Sequence, residues 1–192
     1  MPEVTGLLLA AGKSSRFGSQ KLLHPIQDQP LILHSAASLS ACDRVIAVVR
    51  EEDLTLQQTL QSAGIDFIIN QAAEQGMGSS LACGVQASED SDGWCILPAD
   101  MPFVDATTTR WIVSHLRHGA QLVAPFFQGR RGHPVGFCRR FRHRLLVLKG
   151  DHGARGILTA EPDAIISVEV DDSGILIDID SPKDLLMHGI AL

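Results

Sequence analysis

Closely spaced cysteines are absent from this sequence: Cys42, Cys83, Cys95 and Cys138 are scattered, with no C-x-x-C pair. That argues against a structural zinc site or a dithiol redox motif, and four buried or partly buried free thiols are expected instead. The histidines are equally uninformative about metal, since His24, His34, His115, His118, His143, His152 and His188 show no close zinc-like pattern. A long hydrophobic run is missing too. The apolar stretch inside MPEVTGLLLAAGKSSR is too short to cross a bilayer and has no basic segment before it. A soluble protein of a reducing, cytoplasmic compartment with no membrane partner is therefore expected. Positive charge is in deficit, 16 Lys+Arg against 22 Asp+Glu for a formal charge of -6, so nothing draws the whole chain to nucleic acid. A local basic stretch, Arg130, Arg131 and then RRFRHR at 139–144, runs against that average. It either meets an anionic small molecule or forms a wet helix face, and the second account suits its outer members better. Also absent are G-x-x-x-x-G-K-[ST] and G-x-G-x-x-G, which counts against P-loop ATPases and NAD enzymes.

What is present is a regular alternation. Val4 to Ala10 is a continuous apolar run of the kind buried on both faces of a sheet. A helix over Leu31 to Ala41 and a second buried strand, Val45 to Val49, complete the start of a βαβ unit. Helix 54–63 closed by Gly64, strand 67–69, helix 78–87 and strand 94–97 follow. Asp105 is placed to cap a helix running to about Leu116, with Gly119 past its end, and 122–124 returns to the sheet. The tail changes character: strand 135–138, helix 139–148, then 165–170 and 175–179 around Asp172-Ser173-Gly174, which predicts a hairpin-like addition. Ser181, Pro182 and Asp184 announce a last helix. No linker, repeat or low-complexity stretch divides the chain, and 45% hydrophobic content suits one core, so residues 1–192 are expected to form a single α/β domain.

Chemistry-bearing residues cluster after the strands. AAGKSSRFGSQK leaves the first strand with small residues that let backbone N–H groups approach phosphate, and with the cations Lys13, Arg16 and Lys21. An ordinary exposed turn would also account for it. Strand 94–97 runs into PADMP, where two prolines stiffen Asp100 beyond the carboxyl end of a strand, the place where ligands gather in open α/β sheets. Asp100 is thus the strongest candidate ligand for Mg²⁺, which needs one or two carboxylates beside phosphate oxygens. The second acid is Asp180, with Asp178 as the alternative or a supporting group, and one of the two could serve only the helix start. NQAAEQGMGSS, from Asn70 to Ser80, is either a nucleoside-lining segment or a plain strand-to-helix connection. His133 in GHP either positions an acceptor phosphate or closes a turn, and Arg155 in DHGARG either clamps a phosphate or braces its loop.

LLLAAGKSSRFGSQKLL, NQAAEQGMGSSLACG, ILPADMPFV, RGHPVGF, GDHGARGIL and DIDSPKDL, in this order and over nearly the whole chain, resemble the motifs of the molybdenum cofactor cytidylyltransferase family. That family is similar to the broader nucleoside-triphosphate transferases and molybdopterin-guanine dinucleotide synthases. The resemblance implies a Rossmann-like three-layer α/β/α sandwich with a mostly parallel sheet, of the nucleotide-diphospho-sugar transferase type. It implies Mg²⁺-dependent transfer of CMP from CTP to molybdopterin with release of pyrophosphate. A molybdenum hydroxylase or its maturation chaperone would then be the partner downstream. Carried over by position, Ala10, Ala11 and Gly12 surround the nucleotide, Arg16 and Lys21 contact its phosphates, and Asn70, Gln75, Gly76 and Ser80 line the nucleoside. Asp100 and Asp180 hold Mg²⁺, with Arg16, Lys21 and Asp100 as the catalytic set. Gly132, His133 and Pro134, together with Arg155, lie toward the acceptor. The paired alanines before Gly12 fit the cytidylyl branch, while Phe17 and Gly78 stand where methionine and serine are common in relatives. The same fold acting with GTP or on another phosphorylated acceptor, and a non-catalytic nucleotide- or cofactor-binding delivery protein, are the alternatives.

Overall fold

Every residue of VTGLLL (β1, Val4–Leu9) is buried, as an apolar run covered on both faces must be. The computed structural model describes residues 1–12, 17 and 20–190. After the first loop comes a small antiparallel ribbon, β2 (Pro25–Ile26) and β3 (Gln29–Pro30), which the sequence pattern does not reveal. Its turn places Gln27 and Asp28 at positive φ. Then follow α1 (Leu31–Ser38), β4 (Arg44–Val49), α2 (Leu54–Ser62), β5 (Asp66–Ile69), α3 (Met77–Ala87) and β6 (Gly93–Pro98). The second half holds α4 (Ala106–Arg117), β7 (Leu122–Phe127), β8 (Arg130–Arg131), β9 (Val135–Cys138), α5 (Arg142–Leu146), α6 (Arg155–Ala160), β10 (Ile165–Glu169) and α7 (Pro182–Met187).

The main sheet runs β10-β7-β9-β6-β1-β4-β5, with β8 paired to β7. Pairings β1 with β4, β1 with β6, β4 with β5 and β7 with β10 are parallel, whereas β9 is antiparallel to both its neighbours. Alternating side chains divide the interior in two. Leu8, Ala47, Val49, Cys95, Leu97 and Val123 face a layer that contains Leu31 and Ile32 of α1, Leu60 of α2, Ile112 of α4 and Leu185 of α7. Leu7, Ile46, Val48, Trp94, Ile96 and Leu122 face Leu81 and Val85 of α3, Leu145 of α5 and Leu158 of α6. Two apolar layers with one sheet between them make the three-layer sandwich. None of the described helices is long and apolar enough to cross a membrane.

Local signals act where expected. Asp105 accepts from the Thr107 N–H at 2.6 Å to cap α4, and Gly119 (φ +93°) ends that turn. Ser181 and Asp184 form a capping box at α7, with Pro182 in the first turn. All four cysteines are free thiols, Cys95 buried and the others half-buried. The 139–144 arginines are engaged on the surface: Arg139 with the Ser91 carbonyl, Arg140 with Gln121, Arg142 with Glu89 and Arg144 with Glu161.

One expectation fails. Residues 165–179 do not form a hairpin: β10 joins the sheet parallel to β7, and Ser173–Leu176 is a single 3₁₀ turn. Asp172 is the reason. Its carboxylate accepts from the Gly174 N–H, the Asp105 N–H and the Thr108 hydroxyl, so the loop docks on the start of α4 and offers no ladder edge. Ile175 and Ile179 are apolar because both are fully buried plugs, not because they alternate along a strand.

Candidate active site

Strands β4 and β5 lie on one side of β1, and β6 lies on the other. The chain therefore reverses its direction of travel across the sheet at β1 and β6, the kind of place where open α/β sheets bind ligands. An open cleft of about 820 Å³ occupies that place, lined among others by Ala11, Gly12, Asp100 and Asp180.

Backbone bonds position the acidic segment. The Ala99 N–H donates to the Leu9 carbonyl, the buried Ser35 hydroxyl of α1 donates to the Ala99 carbonyl, and the Ile179 N–H donates to the Asp100 carbonyl. Asp100 is thus tied to β1, to α1 and to the segment that carries Asp180. Asp180 is set by the α7 cap, because Asp184 Oδ2 accepts from the N–H groups of Asp180 at 3.1 Å and of Ser181 at 2.7 Å. Asp184 performs the helix-start role, so Asp180 is left to face the cleft.

Lys21, buried in the 3₁₀ turn Lys21–Leu23, joins the two acids: its Nζ donates to Asp100 Oδ2 at 2.8 Å and to Asp180 Oδ1 at 3.4 Å. Burying an ammonium is costly unless it is paired, and two carboxylates satisfy it. Asp178 reaches the same cleft although 175–179 is no strand. Partial burial first, and then the neighbouring Asp100 charge, push its carboxyl above the usual carboxylate range. No cluster of three metal-ligating side chains occurs among the described residues.

A second group was not foreseen. Arg50, directly after β4, is buried and lines the cleft. Its Nε donates to Glu52 at 2.6 Å, its Nη1 donates to the Ala11 carbonyl at 3.3 Å, and Nη2 pairs with Glu74. A charged residue ending a buried strand was the signal available in VIAVVR. Arg50 ties the first loop to the 70–80 segment.

The 70–80 segment divides into site and scaffold. Gly76 and Ser80 line the cleft. Asn70 turns away from it: its amide donates to the Ser79 and Ser80 hydroxyls at 3.0 Å, and its Oδ1 accepts from the Ala72 N–H. Gln75 contributes its carbonyl to the Gly150 N–H, while the Gly78 N–H donates to the Gly150 carbonyl, both at 2.8 Å. GDHGARG is thereby zipped onto NQAAEQGMGSS. A Cβ on Gly78 would come within 2.7 Å of the Lys149 nitrogen, which explains glycine at that position.

Gly132 and His133 line the cleft together with Arg130 and Arg131; Pro134 follows a cis bond and is buried behind them. The His133 N–H donates to the Ile175 carbonyl at 3.0 Å, and a Cβ on Gly132 would meet Ile175. Burial holds the His133 imidazole below its usual pKa, and its Nδ1 is buried without a hydrogen-bond partner. Arg155 lies off the cleft, in an adjoining chamber. Ala10 is buried, and Arg16 and Lys13 lie outside the described residues.

Residues 6–165 match the MobA-like NTP transferase domain. Purine catabolism protein PucB of Bacillus subtilis is 34% identical over 95% of this chain and 94% of its own. Nicotine blue oxidoreductase of Paenarthrobacter nicotinovorans is 28% identical over 96% of both chains, and molybdenum cofactor cytidylyltransferase of Escherichia coli is 29% identical over 97% and 95%. Among solved structures, the Rv0371c protein of Mycobacterium tuberculosis superposes with a TM-score of 0.85 at 23% identity over 97% of this chain and 96% of its own. Its complex with manganese gives 0.81 at 21% identity over 96% and 97%. The chain belongs to the MobA-like NTP transferase domain family and is a nucleotidyltransferase of that superfamily.

Proposed function

We propose that this protein transfers CMP from CTP to molybdopterin with the help of Mg²⁺ and releases pyrophosphate. The observation that carries the reading is the pairing of buried Lys21 with Asp100 and Asp180, two acids that line a cleft wide enough for a triphosphate. Full-length likeness to the Escherichia coli molybdenum cofactor cytidylyltransferase supports the choice of substrates.

The donor set suits a hard cation. Asp100 and Asp180 offer oxygen ligands only, and Mg²⁺ binds through one or two carboxylates with phosphate oxygens and water completing its shell. Bound there, the ion would neutralise phosphate charge and hold the triphosphate in its reactive shape. The protein's own part is placement. Gly12 and the loop after β1 take the triphosphate, with Gly76 and Ser80 beside the nucleoside. Lys21 and Arg16 supply positive charge to offset the negative charge that builds on the departing pyrophosphate. A terminal phosphate oxygen of the acceptor attacks the α-phosphorus; that P–O bond forms as the bond to the β-phosphate bridge breaks, and pyrophosphate leaves with the electron pair. The acceptor is already anionic near neutral pH, so no general base is required.

The deciding experiment mixes purified protein, molybdopterin and Mg²⁺ with CTP, GTP, UTP or ATP, and measures dinucleotide product and pyrophosphate. Selective use of CTP is expected. Preference for GTP would move the chain to a guanylyl reaction, and nucleotide binding without pyrophosphate release would make it a delivery protein.

A further inference from the structure

The carboxyl end of β4 is bonded on both sides. Its Val48 carbonyl accepts from the Ala10 N–H at 2.9 Å, and its Val49 carbonyl accepts from the Asn70 N–H at 2.8 Å. Because β4 lies between β1 and β5, these two bonds hold the roots of the loops that leave its neighbours. One residue further on the ladder stops and the Arg50 side chain takes over. Its Nη1 donates to the Ala11 carbonyl at 3.3 Å on one side and its Nη2 pairs with Glu74 on the other, while the Arg50 carbonyl accepts from the Gln57 amide at 2.9 Å.

Cleft-lining residues adjoin both partners: Gly12 follows Ala11, and Gly76 and Ser80 belong to the segment that carries Glu74. A guanidinium is planar and rigid, so it fixes the separation of the groups that it holds, whereas an ammonium is a point charge that would take one or the other. In a trans peptide the C=O and the following N–H point opposite ways, so the bond to the Ala11 carbonyl also sets the direction of the Gly12 N–H. Stability gives little reason for the arrangement. The Arg50 side chain is 9% exposed while those of Glu52 and Glu74 are 63% and 62% exposed, and a well-packed apolar side chain commonly stabilises as much as a buried cation with such partners.

We propose that Arg50 is a positioning residue for the nucleotide: its guanidinium straps the first loop to the 70–80 segment and sets the gap between them that receives the triphosphate, without taking part in the transfer. The proposal rests on the reading of the cleft as a nucleotide site. It puts the affinity for nucleotide, and not the rate of the filled complex, under the control of Arg50 and Glu74 together. Glu52 is the internal contrast. It holds Nε of the same arginine from the turn directly after β4 and so joins no second loop.

The test is titration calorimetry with the triphosphate that the parent prefers, in Mg²⁺ and without acceptor, on Arg50→Lys, Glu74→Gln, the double variant and Glu52→Gln. Arg50→Lys and Glu74→Gln are each expected to bind about tenfold more weakly, a loss of roughly 1.4 kcal/mol. The double variant should bind no worse than Arg50→Lys, because both changes cut one strap, and Glu52→Gln should bind like the parent. At saturating nucleotide the kcat of Arg50→Lys should match the parent value, the mark of lost binding as opposed to lost transition-state contact. Parent affinity in Arg50→Lys, an equal loss in Glu52→Gln, or additive losses in the double variant overturns the assignment. Should Arg50→Lys fail to fold, the exposed pair of variants decides, and equal affinities in Glu74→Gln and Glu52→Gln overturn it. Preference for GTP, or binding without pyrophosphate release, is seen in the parent alone; it refutes the cytidylyl reading and leaves this comparison of affinities intact.

Discussion

The ammonium of Lys21 donates to Asp100 Oδ2 at 2.8 Å although 79 positions separate the two residues. Asp100→Asn keeps the shape of the side chain and removes its charge. Pyrophosphate release is expected to fall about 100-fold or more, the scale of losing one electrostatic contact to a transition state. The thermal midpoint should move by only a few degrees, because Asp100 is partly exposed. Activity near the parent value at saturating Mg²⁺ would sink the assignment.

Lys21→Met poses the converse problem, with two carboxylates held together and their cation gone. A loss of roughly 1–3 kcal/mol is expected, less than for a fully buried pair because both acids reach solvent. Added Mg²⁺ should raise the thermal midpoint of this variant more than that of the parent, since anything bound only by the folded state stabilises it. Equal shifts in the two proteins would show that the acids do not take the ion.

Gly76 adopts φ +89°, ψ -177°, a region open almost only to glycine, and its missing Cβ would lie 2.6 Å from the Gly150 carbonyl carbon. Gly76→Ala should cost about 1–3 kcal/mol in urea unfolding. Gly64→Ala, with open space around the same missing atom, serves as the control for positive φ alone. If both substitutions cost the same, the close contact with the 149–151 loop contributes nothing.

Asp43 accepts from the Val4 N–H at 2.8 Å and from Arg117, and the first of these chiefly holds its carboxyl below the usual range. A depressed folded-state pKa means that the unfolded chain takes up the proton more readily. The stability contributed by Asp43 is therefore complete above its ordinary value of 3.8 and is lost as pH falls through the lower folded value. Thermal midpoints measured from pH 7 down to 3 should fall more steeply for the parent than for Asp43→Asn. Parallel curves would remove Asp43 from the acid response.

Much of this protein was legible without coordinates because its cause is local. Apolar periodicity marked the sheet strands except the two-residue β8, and the paired caps at Asp105 and at Ser181 with Asp184 set helix ends through bonds within four residues. Asp100 was legible from its place after a buried strand. Tertiary structure alone decided which side chains meet. Asn70 braces its own loop, Lys21 lies between acids from two distant segments, Arg50 ties two loops, and Gly150 zips onto Gln75 and Gly78. The supposed hairpin failed for the same reason, since Asp172 found its partners on α4. A turn or a cap is specified by neighbours along the chain. A cleft is specified by residues that share nothing except the point where the sheet brings their loops together.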